Sequence, residues 1–179
     1  MTMNTRAPYF LIILLTIFTL ALPAFAAESK FGTVDMQKVL LLSDAGKEAK
    51  EQLALKAAKY EAEKNLKEED LKKLKGELEK QSVLLSEVAR GAKEKDYQQK
   101  LKEYQRFLKD AQDDLQARND EYTNKIVEEI IRVVQEFGKK NAYTFIFVKN
   151  ESMIFMDEKV DLTDELLKQF NASRKATKK

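Results

Sequence analysis

The chain has 179 residues, 35% of them charged, yet 32 basic side chains against 30 acidic ones leave a net charge of only +2. It contains no Cys, His or Trp. This excludes a disulfide framework, Ser-His and Cys-His nucleophiles and His-ligated zinc, and it gives no overall electrostatic case for nucleic acid as a partner.

Residues 1–26 combine Arg6, the apolar run "YFLIILLTIFTLAL", Pro23 and "AFA-A". A charged n-region, an apolar h-region and small residues at the cleavage point read as a secretory signal peptide cut after Ala26. The run is shorter than the ~20 residues a membrane-spanning helix needs. Both prolines lie in this segment, so the mature chain has none. The mature chain is therefore expected to be exported.

"KFGTVDM" follows as a short apolar strand, then "QKVLLL" as a short helix. From Asp44 the apolar positions Ala49, Leu53, Tyr60, Leu71, Leu74, Leu78, Leu85 and Val88 fall on one narrow helical stripe, interrupted by Lys64 and Lys67. Ser43 or Asp44 can cap its start. After a break at "RGAK" around Gly91 the pattern resumes with Tyr97, Leu101, Tyr104, Leu108, Ala111 and Leu115, spaced alternately four and three as a heptad seam. Beyond it Ala111, Tyr122 and Val133 recur every eleven residues, as do Leu115, Ile126 and Phe137, a period that relaxes the left-handed supercoil. Two helices of about 45 residues, roughly 65–70 Å each, are therefore expected to fold back as an antiparallel hairpin over 44–137, with its tip near 89–95. Apolar residues thin out toward that tip, and Gly76 weakens the first helix, so the outer arm is expected to be mobile.

Gly138 suits the position after a helix end. "AYTFIFVKNESMIFMD" reads as two strands joined at "KNES", and "DLTDELLKQF" as a helix capped by Thr163. The tail 171–179 reads as disordered. The segments 27–43 and 138–170 thus make a small β/α body. Its core is too small to cover Phe31, Val34, Phe145, Phe147, Ile154 and Phe155, so these are candidate association residues in an oligomer. The fold class is α+β, with the long hairpin inserted in a small sheet body.

"FGTVDMQKVLLLSDAGKEAKEQL" and "DLTDELLKQF", flanking a long charged coil, resemble the Skp/OmpH family of periplasmic chaperones. The matching elements are Val34-Asp35, Gln37-Lys38-Val39-Leu40, Ser43, Gly46-Lys47 and Asp161-Leu162-Thr163 with Leu166-Leu167. The resemblance implies a homotrimer whose hairpins project around a cavity. It implies a coiled-coil holdase that keeps unfolded outer-membrane proteins from aggregating without ATP, and an association with lipopolysaccharide through basic arm residues.

Two arm features are candidate binding sites. Leu55, Leu66 and Leu84 share one bearing about 120° from the seam, where client could touch them. Between Lys72 and Lys109 eleven basic residues face six acidic ones. Lys72, Lys73, Lys75, Lys80, Arg90, Lys93 and Lys95 would form a basic end attractive to acidic clients and anionic lipid. No catalytic, metal or cofactor residues are expected, since the acids lie in helical runs interleaved with Lys. The rival reading is a structural coiled-coil spacer or adaptor of the envelope.

Overall fold

In the computed structural model the described residues are 29–81 and 86–177, nearly all in one contact unit spanning Phe31–Lys179. The expected signal peptide and Leu84 lie outside the described residues. The unit opens with strand β1 (Phe31–Val34), followed at once by helix α1 (Met36–Leu42). Asp35 makes the switch: its side chain accepts the Lys38 N–H at 2.8 Å and caps α1.

A tight corner joins α1 to helix α2 (Asp44–Gln81). The fully buried Ser43 hydroxyl donates to the Leu40 carbonyl at 3.1 Å and accepts the Gly46 N–H at 3.0 Å, capping α2 as the sequence suggested. Gly46 is required here because a Cβ would lie 1.8 Å from the Leu40 carbonyl oxygen.

Helix α2 runs 38 residues, and helix α3 (Glu87–Lys140) returns over 54. They pair antiparallel. Tyr60 donates to Asp114 at 2.8 Å, Tyr104 donates to Glu68, and Lys93 reaches Glu77 at 3.0 Å, so the contacts advance along one helix as they retreat along the other. The expected seam on α2 is present, with Leu53, Tyr60, Leu71, Leu74 and Leu78 partly covered. The lysines that interrupt it bury their stems: Lys64 pairs with Glu61, and Lys67 lies 5.2 Å from the Phe107 ring centroid. The eleven-residue rows also hold, since Ala111, Ile126, Val133 and Phe137 are buried.

Three details of the hairpin differ from expectation. The expected tip at 89–95 is helical instead: α3 already begins at Glu87, Ser86 caps it, its hydroxyl accepting the Ala89 N–H at 3.4 Å, and Gly91 sits within the helix. Val88 therefore belongs to α3 and is 85% exposed instead of extending the α2 stripe. On α3 the seam position is taken by Phe107, in edge-to-face contact with Tyr60 at 6.0 Å, and Leu108 turns outward. The larger ring fills the gap opposite Tyr60 and makes the aromatic pair.

The end of α3 also departs from the expected Gly138 stop. Gly138 is helical and buried, because a Cβ there would crowd Ile146 Cδ1 at 3.3 Å. The helix ends instead at Lys140, and Ala142, two residues on, takes the left-handed position with a φ of 55°. Tyr143 N–H bonds the Gly138 carbonyl at 2.9 Å and Ala142 N–H the Lys139 carbonyl at 3.4 Å, the paired bonds of a Schellman motif.

Strand β2 (Phe145–Val148) then pairs parallel with β1, Phe31 opposite Phe145 and Val34 opposite Val148. The second expected strand, "MIFM", does not form. The free edge of β1 is already occupied downstream, where Thr33 bridges Asp161 and its carbonyl accepts the Leu162 N–H at 2.8 Å. After Lys149, whose N–H still bonds the Val34 carbonyl at 2.8 Å, the chain leaves β2 through a turn closed by Met153 N–H on the Asn150 carbonyl and runs outside the sheet into a 3-10 turn at Glu158–Val160.

Helix α4 (Thr163–Thr177) closes the body. Thr163 is not its side-chain cap: its hydroxyl donates to Asp161 at 2.5 Å and accepts the Asp35 N–H at 2.9 Å, tying the two family-like motifs together. The expected disordered tail is corrected as well, since α4 continues through Asn171–Thr177 on contacts with α2 and α3. The core gathers Val34, Val39, Ala45, Ile126, Ile130, Val133, Phe137, Leu162, Leu166 and Phe170. Val34, 1% exposed, is a core residue and is withdrawn from the association set.

Candidate association face and arm

The two-stranded sheet has two unlike faces. Strand alternation turns Gly32, Val34 and Ile146 onto the helices, with Gly32 so close to Leu162 that a Cβ would come within 2.3 Å of its Cδ1. Phe31, Phe145 and Phe147 stand on the other face. Their rings stack in a row, Phe31 on Phe145 at 6.1 Å and 3° and Phe145 on Phe147 at 5.8 Å and 25°. All three are about half exposed. Beyond them Ile154 is 100% and Phe155 87% exposed, on the segment that leaves β2. An apolar row of this size on one side of a two-stranded sheet is a surface that wants a partner.

Thr33, opposite Phe147 in register, makes polar contacts beside this row. The Thr33 hydroxyl lies 3.3 Å from the Val160 carbonyl and 3.5 Å from Met156 Sδ. Burial opposes ionisation of Asp161, but the hydroxyl and amide of Thr163 and the nearby Lys149 outweigh it and hold the carboxyl below its ordinary value. Lys38 is raised by its 2.8 Å bond to Asp164. These pairs fix the 33–38 and 161–164 segments to each other.

The arm is a different kind of surface. From Lys47 to Asp110 no described residue is buried. Asp114 collects Arg118 from its own helix and the Tyr60 hydroxyl and Lys56 from across the seam, and its carboxyl is held low by the first two. An open groove beside this cluster is floored by Tyr60, Phe107, Leu108, Ala111 and Leu115. Among the described residues no group of His, Cys, Asp and Glu could hold a metal ion. No described helix is long and apolar enough to cross a membrane.

Comparison with known proteins identifies this pairing of body and arm. Residues 30–170 match the family model for outer membrane protein (OmpH-like). The chain belongs to the OmpH-like, or Skp/OmpH, family. It is 32% identical over 141 residues to an uncharacterized protein of Aquifex aeolicus (strain VF5), covering 79% of this chain and 85% of that one. A crystal structure of a proposed outer membrane chaperone (OmpH-like) from Caulobacter crescentus CB15 superposes with a TM-score of 0.76 at 16% identity, over 82% of this chain and 86% of that one. That likeness extends the shared fold from the body along the hairpin.

Within this OmpH-like fold the sequence-derived sites separate into groups. Phe31, Phe145 and Phe147 come together, with Ile154 and Phe155 on the segment that follows. Leu55 and Leu66 are both exposed on α2, as a line off the seam requires. The basic end is partly neutralised: Lys93 bonds Glu77 at 3.0 Å and lowers that carboxyl, Arg90 bonds Glu94 at 3.0 Å, and Lys75 lies 4.0 Å from Glu79. Lys72, Lys73, Lys80 and Lys95 are exposed. Sequence reasoning missed four exposed apolar residues, Leu41, Leu42, Ile131 and Val148. The run of three leucines at 40–42 was a usable signal, because a seven-residue helix cannot turn all three inward.

Proposed function

We propose that this chain is an ATP-independent holdase of the periplasm, exported with its signal peptide removed after Ala26. Three copies associate through the phenylalanine face of their sheets, and their hairpins enclose a cavity for unfolded outer-membrane proteins. The observation that carries the reading is that face: Phe31, Phe145 and Phe147 stacked and half exposed beside a core too small to spare them. Family membership supports a chaperone role. The arm supports a holding mode, because its charged faces and scattered apolar side chains touch client weakly and separate its apolar segments. The exposed basic end adds attraction for acidic clients and anionic lipid, including lipopolysaccharide.

Suppression of aggregation tests this directly. Light scattering of a denatured outer-membrane barrel protein diluted into buffer without ATP should stay low when the chain is present. Changing Leu55, Leu66 and Leu84 together to Gln should weaken that suppression while leaving helicity and native mass intact. A chain that leaves scattering unchanged would be read instead as a structural spacer.

A further inference from the structure

The family match ends at Phe170, yet α4 runs on to Thr177. The extra turns hold the root of the hairpin. Asn171 Oδ1 accepts the Asp44 N–H at 2.9 Å, satisfying a donor in the first turn of α2 that no residue of α2 can reach. The Arg174 guanidinium bonds Glu129 on α3 and lies 3.7 Å from Glu48 on α2. Its own ring neighbour is Phe170, 6.0 Å away, and Lys175 reaches Asp44 at 3.6 Å.

The two arm helices depend on this unequally. Helix α3 is built into the core through Ile126, Ile130, Val133 and Phe137, whereas α2 contributes only Ala45, with Ala49 packed against it. Beyond the Ser43–Gly46 corner, little apolar packing holds α2 to the body. Three polar contacts from one helix end fall on this weak root, and one of their side chains grips both arm helices at once.

We infer that residues 171–175 form a salt-sensitive strap that pins the root of α2 to α3 and so limits how far the two arm helices separate at their base. Arg suits the central position because its fork can serve two carboxylates, which a Lys ammonium cannot do with the same geometry. The strap does not rest on the holdase reading and is testable in client-free protein.

Hydrogen exchange on the full mature chain tests it. Arg174→Gln, and separately a stop codon after Phe170, should speed exchange of amides in residues 45–53 by about tenfold, while amides near Val39 and Ile130 keep their protection. Arg174→Lys should fall between. Salt at about 1 M, where the screening length is about 3 Å, should bring the wild type toward the Arg174→Gln rate and leave the variant little changed. If truncation unfolds the body, Arg174→Gln with Lys175→Gln decides alone, since both side chains reach solvent. Wild-type exchange across 45–53 in that double variant would overturn the strap.

Discussion

The root and the outer half of the hairpin are made of the same two helices and obey different physics. At the root α3 buries Ile126, Ile130, Val133 and Phe137 in one core with residues of β1, α1 and α4. Further out each helix has only its partner, and the seam is filled by half-covered Leu, Tyr and Lys stems. Root stability is therefore core packing. Outer-arm stability is helix propensity with single seam contacts, and an arm that loosens while its base stays folded follows directly.

The two largest effects expected from single changes lie at the root, and the first is at the corner that launches the arm. Gly46→Ala would force a methyl into the Leu40 carbonyl, a backbone atom that cannot swing aside. A loss of about 3–4 kcal/mol in denaturant unfolding is expected. The contrast between root and arm is sharpened by one truncation in each: Ile130→Ala should cost about 3–4 kcal/mol, and Leu74→Ala, half-covered in the seam, about 1 kcal/mol. Equal costs would abolish the distinction.

Smaller changes should stabilise. Ala142→Gly relieves the left-handed cap at the root and should add about 0.5–1 kcal/mol. Gly76→Ala, where a Cβ meets nothing within 4 Å, should add up to about 1 kcal/mol of helix propensity. The two gains should appear in different places. Ala142→Gly should raise the global unfolding midpoint, and Gly76→Ala should mainly slow exchange in the outer arm.

Acid should have the smallest effect, on the arm through Asp114 and Glu77 and on the body through Asp161, whose carboxyl is also held low. Asp114 and Glu77 have folded pKa values below their ordinary ones, Asp114 through Arg118 and Tyr60, Glu77 through Lys93. A depressed carboxylate stabilises the fold above its unfolded pKa, and that contribution is lost as pH falls through the folded value. With no His in the chain, arm protection factors, corrected for the base-catalysed intrinsic exchange rate, should be flat from about pH 6 to 8 and should fall below about pH 4. A transition near pH 6 would contradict this assignment.

Much of the architecture was legible in the sequence, for identifiable reasons. The seam at Leu53, Tyr60, Leu71, Leu74 and Leu78 and the eleven-residue rows of α3 are periodic patterns, which local sequence carries directly. Features that depend on distant neighbours were less visible. "MIFM" has strand composition, but whether it pairs depends on an edge of β1 that Asp161 and Leu162 had already taken. The tail "NASRKATKK" is polar and looks unstructured alone; its helix is fixed by Glu48, Glu129 and Asp44, far away in sequence. Phe107 and Leu108 are adjacent apolar residues about 100° apart on the helix, and only the facing Tyr60 selects between them. The displaced tip had a local signal that Gly91 outweighed, since Ser86 before Glu87 is a helix start. Of the candidate site, the aromatic face was legible because strand alternation groups Phe31, Phe145 and Phe147, whereas Val34 lies on the opposite face.

The central claim is that a small body assembles through its phenylalanine face and carries loose arms that hold client. The native mass of the mature protein, measured by sedimentation at micromolar concentration with and without an unfolded outer-membrane barrel protein, tests it most directly. The account predicts three chains per particle, a gain in mass on adding client, and monomers for Phe147→Asp. A wild-type protein that sediments as a monomer and gains no mass with client would contradict it.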